Sequence, residues 1–428
     1  MPGRFCIAHV LPPNPQKIQE QMWNRESYND LGRVDTDFEQ FVLDLETELE
    51  RKYVDLGGKQ NRHGIVLVGV STTGRVDAET SLSELELLAQ SANKIILDKF
   101  IQTSKKIDPR YLVGKGKLKE ITLRARHIGA DTLVFNKELT PAQVRAINKE
   151  TDLEIVDRTQ IILEIFAARA TTSEGKLQVQ LAQAQYELPR LVGKGVEFSQ
   201  LGGGIGTRGP GEKKLEEQRR TLRKQIDILE KKIDELSLRR SHTRKQRMSH
   251  GISTVTFIGY TNAGKSTLFN SLTKGHVLAE NKLFSTLNPT TRKLMLPSGR
   301  QILITDTVGF ISELPAELVN AFRATLEELG ESSVLIHVAD ISDPMLDEKI
   351  ESVEKILQDT GYNTIPRINI LNKSDKVTKE IAENISKRYG AIAVSAKQKD
   401  TAGFYELLET KLSELDNGQI VVSKEIAL

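Results

Sequence analysis

Cysteine is almost absent from this chain, which has Cys6 alone among 428 residues. A disulfide framework and a thiolate metal site both need several cysteines, so both are excluded. The seven histidines form no cluster, and no H-E-x-x-H pattern is present. No apolar run approaches the roughly eighteen residues of a membrane-spanning helix, and Met1 leads into no apolar signal core. The sequence therefore predicts a soluble, cytoplasmic protein.

Length and net charge bear on the number of domains and on the kind of partner. A chain of 428 residues is long enough for two or three domains. The formal net charge is +2, which by itself favours neither a polyanionic partner nor its absence.

The strongest motif follows the apolar run 255–258 and precedes a helical pattern. It fits G-x-x-x-x-G-K-[ST], the phosphate-binding loop, in the strand–loop–helix context that this loop requires. Glycine allows the backbone to turn its N–H groups toward a polyphosphate, and the helix N-terminus adds positive charge. Lys265 can reach the β- and γ-phosphates, while Ser266 can ligate Mg²⁺. The loop residues are Gly259, Tyr260, Thr261, Asn262, Ala263, Gly264, Lys265 and Ser266.

A second motif ends the apolar segment 301–305. It comprises Asp306, Thr307, Val308 and Gly309. A carboxylate at a strand end holds Mg²⁺ in such enzymes, directly or through water, and the Gly309 N–H can bond the γ-phosphate. In isolation, the segment is also compatible with an ordinary strand ending in a turn.

A third motif is similar to the N-K-x-D base-recognition element of GTPases. It comprises Asn372, Lys373, Ser374 and Asp375. The Asp375 carboxylate can accept hydrogen bonds from N1–H and N2 of guanine, whereas adenine has no donor at N1. Asn372 is expected to support the neighbouring loops, and the Lys373 stem to lie along the base.

A fourth motif follows the apolar segment 391–394 and resembles the S-A-K element that meets guanine O6. It comprises Ser395, Ala396 and Lys397. Four motifs in this order, each at a strand end, fit the rule that open α/β sheets bind ligands at the carboxyl ends of their strands. The sequence predicts a guanine-nucleotide-binding domain of the P-loop type, a mostly parallel sheet with helices on both faces, over residues 251–415.

The polar segment 281–292 lies where a GTPase has its first switch loop. A threonine there ligates Mg²⁺ and senses the γ-phosphate. We select Thr286, with Thr290 and Thr291 as alternatives. Phe310 stands where many regulatory GTPases place a glutamine that orients the attacking water. Because an apolar side chain cannot do this, slow intrinsic hydrolysis is expected, with the water positioned by another group or by a partner.

Upstream, residues 1–63 carry no strong fold signal beyond an amphipathic helical pattern from Asp37 to Lys52. Residues 64–175 alternate strand and helix patterns, which predicts a small α/β domain. Within it, the turn 112–117 (LVGKGK) is either a flexible surface turn, the favoured interpretation, or a contact for a nucleic-acid backbone.

Residues 176–250 predict an antiparallel helical hairpin. Two helical patterns, from about Lys176 to Leu188 and from about Glu212 to Arg239, flank a segment with eight glycines, Gly193 to Gly211. Residues 191–250 hold fifteen lysines and arginines against eight acidic residues. A solvated helix with ordinary ion pairs is the alternative, but a basic hairpin with a glycine-rich tip favours structured RNA as partner.

The segment from Gly202 to Glu212 (GGGIGTRGPGE), with Arg219 and Arg220, resembles the signature of the HflX-type GTPases. The turn 112–117 and the segments 284–292 and 306–309 are similar to the same family. The resemblance covers about residues 64–410. It implies an Mg²⁺-dependent GTPase that binds the large ribosomal subunit and, stimulated by the ribosome, splits stalled or idle ribosomes, particularly under stress. Residues 416–428 are too short a tail for the C-terminal domain that some members carry.

The resemblance also implies the site. Ser266 and Thr286 would ligate Mg²⁺, and Lys265, Thr286 and Gly309 would act at the γ-phosphate. Beyond the motifs above, it adds the first-switch residues Phe284, Ser285, Thr286, Leu287 and Asn288 to those that line the GTP pocket. Asn288 departs from the aspartate usual in the family.

Two other hypotheses remain. A regulatory or membrane-associated GTPase would use the hairpin to contact a protein, although no lipidation motif supports it. An ATP-driven remodeller conflicts with Asp375 unless the N-terminal α/β domain has its own nucleotide site. A monomer is expected.

Overall fold

The structure is a computed structural model that describes residues 5–10, 23–28, 39–45, 47, 64–191, 210–249, 252–273, 283–284, 286, 289–311 and 329–418. Of the residues named above, Ser285, Leu287, Asn288 and most of the glycine-rich segment, 192–209, lie outside the described residues, as do 419–428. The chain divides into two compact units, Met1–Ile162 and Leu163–Leu428.

The N-terminal extension contains an antiparallel strand pair that the sequence did not indicate. β1 (Phe5–Val10) pairs with β2 (Trp23–Tyr28) in a two-stranded sheet. The β2 sequence WNRESY has no alternation of apolar and polar residues, so its period carries no strand signal. Residues 39–45 and 47 are helical, inside the segment where an amphipathic helix is expected.

The first unit is built on a small parallel sheet. Its further elements are β3 (Gly64–Ser71), α1 (Arg75–Ser91), β4 (Ile95–Thr103), α2 (Lys115–Ile128), β5 (Thr132–Phe135), α3 (Pro141–Asn148) and β6 (Glu154–Asp157). The strand order is β4-β3-β5-β6, and every pair is parallel. All eight residues of β3 are buried, as expected for the central strand of a sheet covered by helices. The predicted α/β organisation is confirmed.

Three helices follow. α4 (Arg158–Arg169) crosses from the first unit into the second, and α5 (Ser173–Leu191) and α6 (Pro210–Ser249) follow it. α5 and α6 pack against each other, with Leu229 of α6 buried and Gln185 donating to Glu230 at 3.3 Å. Both helices extend beyond the predicted ends because their polar terminal turns lack the apolar period.

The predicted guanine-nucleotide-binding domain contains a six-stranded sheet. Its elements are β7 (Thr254–Ile258), α7 (Lys265–Thr273), β8 (Thr290–Met295), β9 (Gln301–Asp306), β10 (Val334–Asp340), α8 (Leu346–Asp359), β11 (Arg367–Asn372), α9 (Lys379–Tyr389), β12 (Ile392–Ala393) and α10 (Ala402–Asp416). The order is β12-β11-β10-β7-β9-β8, and only β8 with β9 is antiparallel.

Helices cover both faces of this sheet. Phe257 packs in a cluster with Phe404 and Leu408 of α10, whereas the next residue, Ile258, packs with Val353 and Leu357 of α8. Successive residues of a strand point to opposite faces, so the two clusters are two cores. The predicted fold class, a mostly parallel sheet with helices on both faces, is confirmed.

Strand order fixes where a ligand would bind. β7 lies between β10 and β9, so connections leave it toward both sides of the sheet. Such a topological switch point opens a crevice at the carboxyl ends of the strands. The loop 259–264 occupies this point. Among the described residues, no helix combines the length and apolar character needed to cross a membrane.

Candidate functional site

The phosphate-loop lysine is buried inside its own loop. Lys265 is 6% exposed, and its Nζ donates to the carbonyl oxygens of Gly259 (3.0 Å) and Tyr260 (2.9 Å). Burial lowers the pKa of Lys265 from 10.5 to about 8, partly offset by the charge of Asp306. A cation held in this way is poorly solvated, so it would interact strongly with an entering phosphate.

Gly264 permits the close approach of two loops. Its φ is +92°, and a Cβ there would lie 2.1 Å from Nδ2 of Asn372. That Nδ2 donates to the Ala263 carbonyl at 2.9 Å, while Oδ1 of Asn372 accepts from the Ala396 N–H at 3.0 Å. One buried amide thus joins the phosphate loop, the N-K-x-D segment and the S-A-K segment.

The predicted base-recognition residues lie together at the ends of β11 and β12. Ser395 Oγ donates to Oδ1 of Asp375 at 2.6 Å. This hydrogen bond is the main cause that lowers the pKa of Asp375, so the group is a carboxylate at neutral pH. A carboxylate is acceptor-only, which suits the adjacent N1–H and N2 donors of guanine.

Lys373 is anchored at its charged end. Its Nζ donates to the Asn262 carbonyl at 2.8 Å and forms an ion pair with Asp340 at 2.7 Å. Asp340, the last residue of β10, was not identified from the sequence. The sequence does contain a signal for Asp340, because it ends an apolar strand, the same pattern that pointed to Asp306.

Three oxygen-bearing side chains meet beside the phosphate loop. Thr286 Oγ1 lies 2.7 Å from Ser266 Oγ and donates to Oδ2 of Asp306 at 3.0 Å. Oδ1 of Asp306 is buried and has no partner among the described residues. Burial raises the pKa of Asp306, against the opposing effects of Ser266, Lys265 and Thr286.

This donor set fits Mg²⁺. The cation prefers oxygen ligands, and a divalent charge would satisfy the orphaned carboxylate oxygen and favour its ionised form. In the described part of the chain, no cluster of three His, Cys, Asp or Glu side chains offers a different kind of metal site.

The alternative switch threonines lie elsewhere. Thr290 begins β8 opposite Asp306 in the strand register, and the Thr291 hydroxyl pairs with that of Thr305 at 3.0 Å. Of the three threonines, Thr286 is the one whose hydroxyl contacts Ser266 and Asp306 in the described part of the chain.

The segment after β9 is fastened to the phosphate loop by its backbone. Thr307 Oγ1 donates to the Phe257 carbonyl at 2.6 Å. The Thr261 N–H donates to the Phe310 carbonyl at 2.7 Å, and the Phe310 N–H to the Gly259 carbonyl at 3.0 Å. Gly309 therefore lies directly against the loop, where a Cβ would be 2.9 Å from Lys265 Nζ.

The Phe310 ring does not face the nucleotide site. It is 4% exposed and belongs to the core cluster with Ile258, Leu329 and Leu335. Its side chain is a structural anchor, so it cannot orient water.

The first-switch residue Phe284 contacts the helical region. Its ring is buried and lies 4.6 Å, centroid to centroid, from that of Phe166 in α4, in an edge-to-face arrangement. Phe284 has a φ of +55°, an uncommon conformation for a bulky residue. Phe166 was missed from the sequence because an aromatic residue in an apolar helix gives no indication of a distant partner.

The remaining predicted residues occupy the same loops. Val308 lies between Thr307 and Gly309, Ser374 donates its N–H to the Val394 carbonyl, and the positive charge of Lys397 helps to lower the pKa of Asp375.

In the first unit, the basic turn 112–117 is held by ion pairs. Lys115 pairs with Glu150 at 2.7 Å and Lys117 with Glu120 at 2.7 Å. Tyr111 also donates to Glu150, at 3.1 Å. Both lysines of the turn are thus paired with carboxylates of the same unit.

Family models match most of the chain. Residues 79–167 match the model described as GTP-binding GTPase N-terminal, residues 169–247 the GTP-binding GTPase Middle Region, and residues 254–373 the 50S ribosome-binding GTPase.

Curated relatives are similar over most of their length. GTPase HflX of Caldanaerobacter subterraneus subsp. tengcongensis is 48% identical over 345 residues, which cover 81% of this chain and 79% of the relative. GTPase HflX of Escherichia coli is 41% identical over 310 residues, which cover 72% of each chain.

A GTP-binding protein from the hyperthermophilic archaeon Sulfolobus solfataricus, solved in complex with GDP, is 24% identical, with a TM-score of 0.43 over 83% of this chain and 99% of that one. The sequence identities of 48% and 41% with the two HflX relatives establish the family. This chain belongs to the HflX family of GTPases, binds guanine nucleotides and hydrolyses GTP.

Proposed function

We propose that this GTPase is a GTP-gated factor of the cytoplasm that binds the large ribosomal subunit as a monomer and splits stalled or idle ribosomes for recycling or rescue. Hydrolysis of GTP to GDP and phosphate would be stimulated by the ribosome. The observation that carries the proposal is the direct contact between Phe284 of the predicted first switch and Phe166 of α4. It would connect the nucleotide site to the helix that leads into the basic hairpin.

Nucleotide recognition would divide among the loops of the second unit. Lys265 and the N–H groups of residues 259–266 would bind the phosphates, Asp375 would bind the guanine edge, and Gly309 would bond the γ-phosphate. Mg²⁺ would be held by Ser266 and Thr286, with Asp306 beside them, and would neutralise charge on the β- and γ-phosphates.

The partner is inferred from charge and family. α6 carries most of the positive excess between residues 191 and 250, and it extends for 40 residues. A long basic helix suits the phosphate backbone of structured RNA. The family description for residues 254–373, a 50S ribosome-binding GTPase, supports the large subunit as that RNA-containing partner.

The switch contact supplies the link. Thr286 contacts Ser266 and Asp306, and Phe284, two residues earlier, packs on Phe166. When the first switch rearranges with the γ-phosphate, Phe284 would move with it and change the support of α4. Exchange of GTP for GDP would thereby alter the packing of the helices that precede the guanine-nucleotide-binding domain.

Co-sedimentation of the full chain with purified large subunits would test the proposal. Binding should be stronger with a non-hydrolysable GTP analogue than with GDP, and should weaken as salt increases because counterions compete for the RNA backbone. Equal binding in both nucleotide states would contradict the gating.

A Phe166→Ala variant separates gating from affinity. It should still bind both nucleotides, because Phe166 lies in α4, outside the predicted nucleotide-binding segments, and reaches them through Phe284. The difference between the two states should shrink. Leu123→Ala, at an exposed position of α2, is the matched control and should keep the full difference.

A further inference from the structure

The protein hydrolyses GTP although the position after Gly309 offers no group to hold the attacking water. The Phe310 ring is committed to the core, and its backbone N–H and carbonyl are both bonded to the phosphate loop. Another group of the protein, or a bound partner, must therefore hold the water.

Thr261 lies at the right place. A Cβ built on Gly309 would lie 2.9 Å from both Cα and Cγ2 of Thr261, so its side chain contacts the glycine expected to bond the γ-phosphate. The Thr261 N–H is fixed by the Phe310 carbonyl at 2.7 Å, which limits the motion of the residue. Thr261 is only 5% exposed.

The Thr261 hydroxyl is also unused within the described part of the chain. Its Oγ1 is buried and has no hydrogen-bond partner among the described residues. Burying a hydroxyl without a partner is unfavourable, so such a group calls for an explanation. A ligand that arrives with GTP would supply the missing partner.

Neighbouring polar side chains are already engaged. The hydroxyls of Ser266 and Thr286 contact each other, and Thr307 donates to the Phe257 carbonyl. Lys265 is a cation with no acceptor for a water proton. Of these hydroxyl groups, that of Thr261 is the one without a hydrogen-bond partner among the described residues, so it is available to bind a water.

We propose that Thr261 is a catalytic residue whose hydroxyl positions the attacking water. Oγ1 accepts a hydrogen bond from the water and donates its own proton in a hydrogen bond to a γ-phosphate oxygen. The water oxygen forms a bond to the γ-phosphorus, and the bond from that phosphorus to the β–γ bridging oxygen breaks, leaving its electron pair on GDP. The water proton passes to the released phosphate, and Thr261 is unchanged.

The test compares Thr261→Val with Thr261→Ser in single-turnover GTP hydrolysis by the full chain with saturating Mg²⁺ and no ribosomes. Valine keeps the branched shape against Gly309 but removes the hydroxyl, so the rate should fall by about 10²-fold. Serine should retain most of the rate. The affinity for GDP, which has no γ-phosphate, should be the same in both variants and in the parent.

A matched control is Thr122→Val. Thr122 in α2 also has a buried hydroxyl without a partner among the described residues, but it belongs to the first unit. Its loss should leave the rate unchanged.

Hydrolysis by Thr261→Val at the parental rate would overturn the proposal, as would an equal loss in Thr261→Ser. A fall in GDP affinity as large as the fall in rate would also overturn it, because the side chain would then shape the loop rather than hold water. Since no ribosome is present, the outcome does not depend on the proposed partner.

Discussion

Asp375→Asn should change the preferred nucleotide of this GTPase from GTP to xanthosine triphosphate. In the proposed mode of base recognition, the Asp375 carboxylate would accept from two guanine donors, and asparagine would present an N–H₂ group to one of them. Xanthine has a carbonyl where guanine has its amino group, so the new donor would be matched. We expect GTP affinity to fall by about 10⁴-fold, as for sites built around a specific hydrogen bond.

Competition between the two triphosphates for the full chain, measured at equilibrium, gives the preference directly. Ser395 can donate to the asparagine carbonyl as it does to the carboxylate, so the loop should keep its conformation. Asp347→Asn, which removes an exposed carboxylate paired with Arg388, is the control and should retain GTP preference. A GTP-preferring Asp375→Asn protein would refute this mode of base recognition.

Lys265→Met should have two opposite effects. Without the ammonium group, GDP affinity should fall by about 10²-fold, because hydrogen bonds to charged groups are among the stronger ones. The nucleotide-free protein should nevertheless become more stable by about 1–3 kcal/mol, since a buried charge that lacks full compensation is replaced by an apolar chain of similar length.

The pH dependence identifies the cause. The pKa of Lys265 is about 8 in the folded, nucleotide-free protein and 10.5 when unperturbed. Between these values, the unfolded chain holds more protons, so this group makes stability rise with pH across that window. The rise should be absent in Lys265→Met.

The measurement is the urea concentration at which the second unit is half unfolded, monitored by hydrogen exchange of the β7 amides. A probe within this unit is needed because a chain of two units need not unfold in a single step. A variant that loses both nucleotide affinity and stability at neutral pH would show that the loop needs the lysine for its structure.

Much of the fold was predictable because its motifs are local. The segment 259–266 fixes a strand, a loop and a helix within a few residues, and Asp306, Asp375 and Ser395 each follow an apolar strand. Parallel strands bring their carboxyl ends to one edge, so residues more than a hundred positions apart could be assigned to one pocket.

The contacts missed are those that depend on tertiary packing. No periodicity relates Phe166 to Phe284, and the ion pair of Asp340 with Lys373 requires the register of β10 and β11. That the Thr261 hydroxyl has no hydrogen-bond partner among the described residues depends on the tertiary structure around the loop. The N-terminal strand pair was missed because β2 lacks an apolar alternation.

The most direct test of a ribosome-activated, GTP-gated factor is GTP turnover by the full chain with purified large subunits, purified small subunits or neither, over a series of salt concentrations. The account predicts slow turnover alone, strong stimulation by large subunits only, and loss of stimulation as salt rises. Turnover that is fast alone and unchanged by either subunit would contradict it.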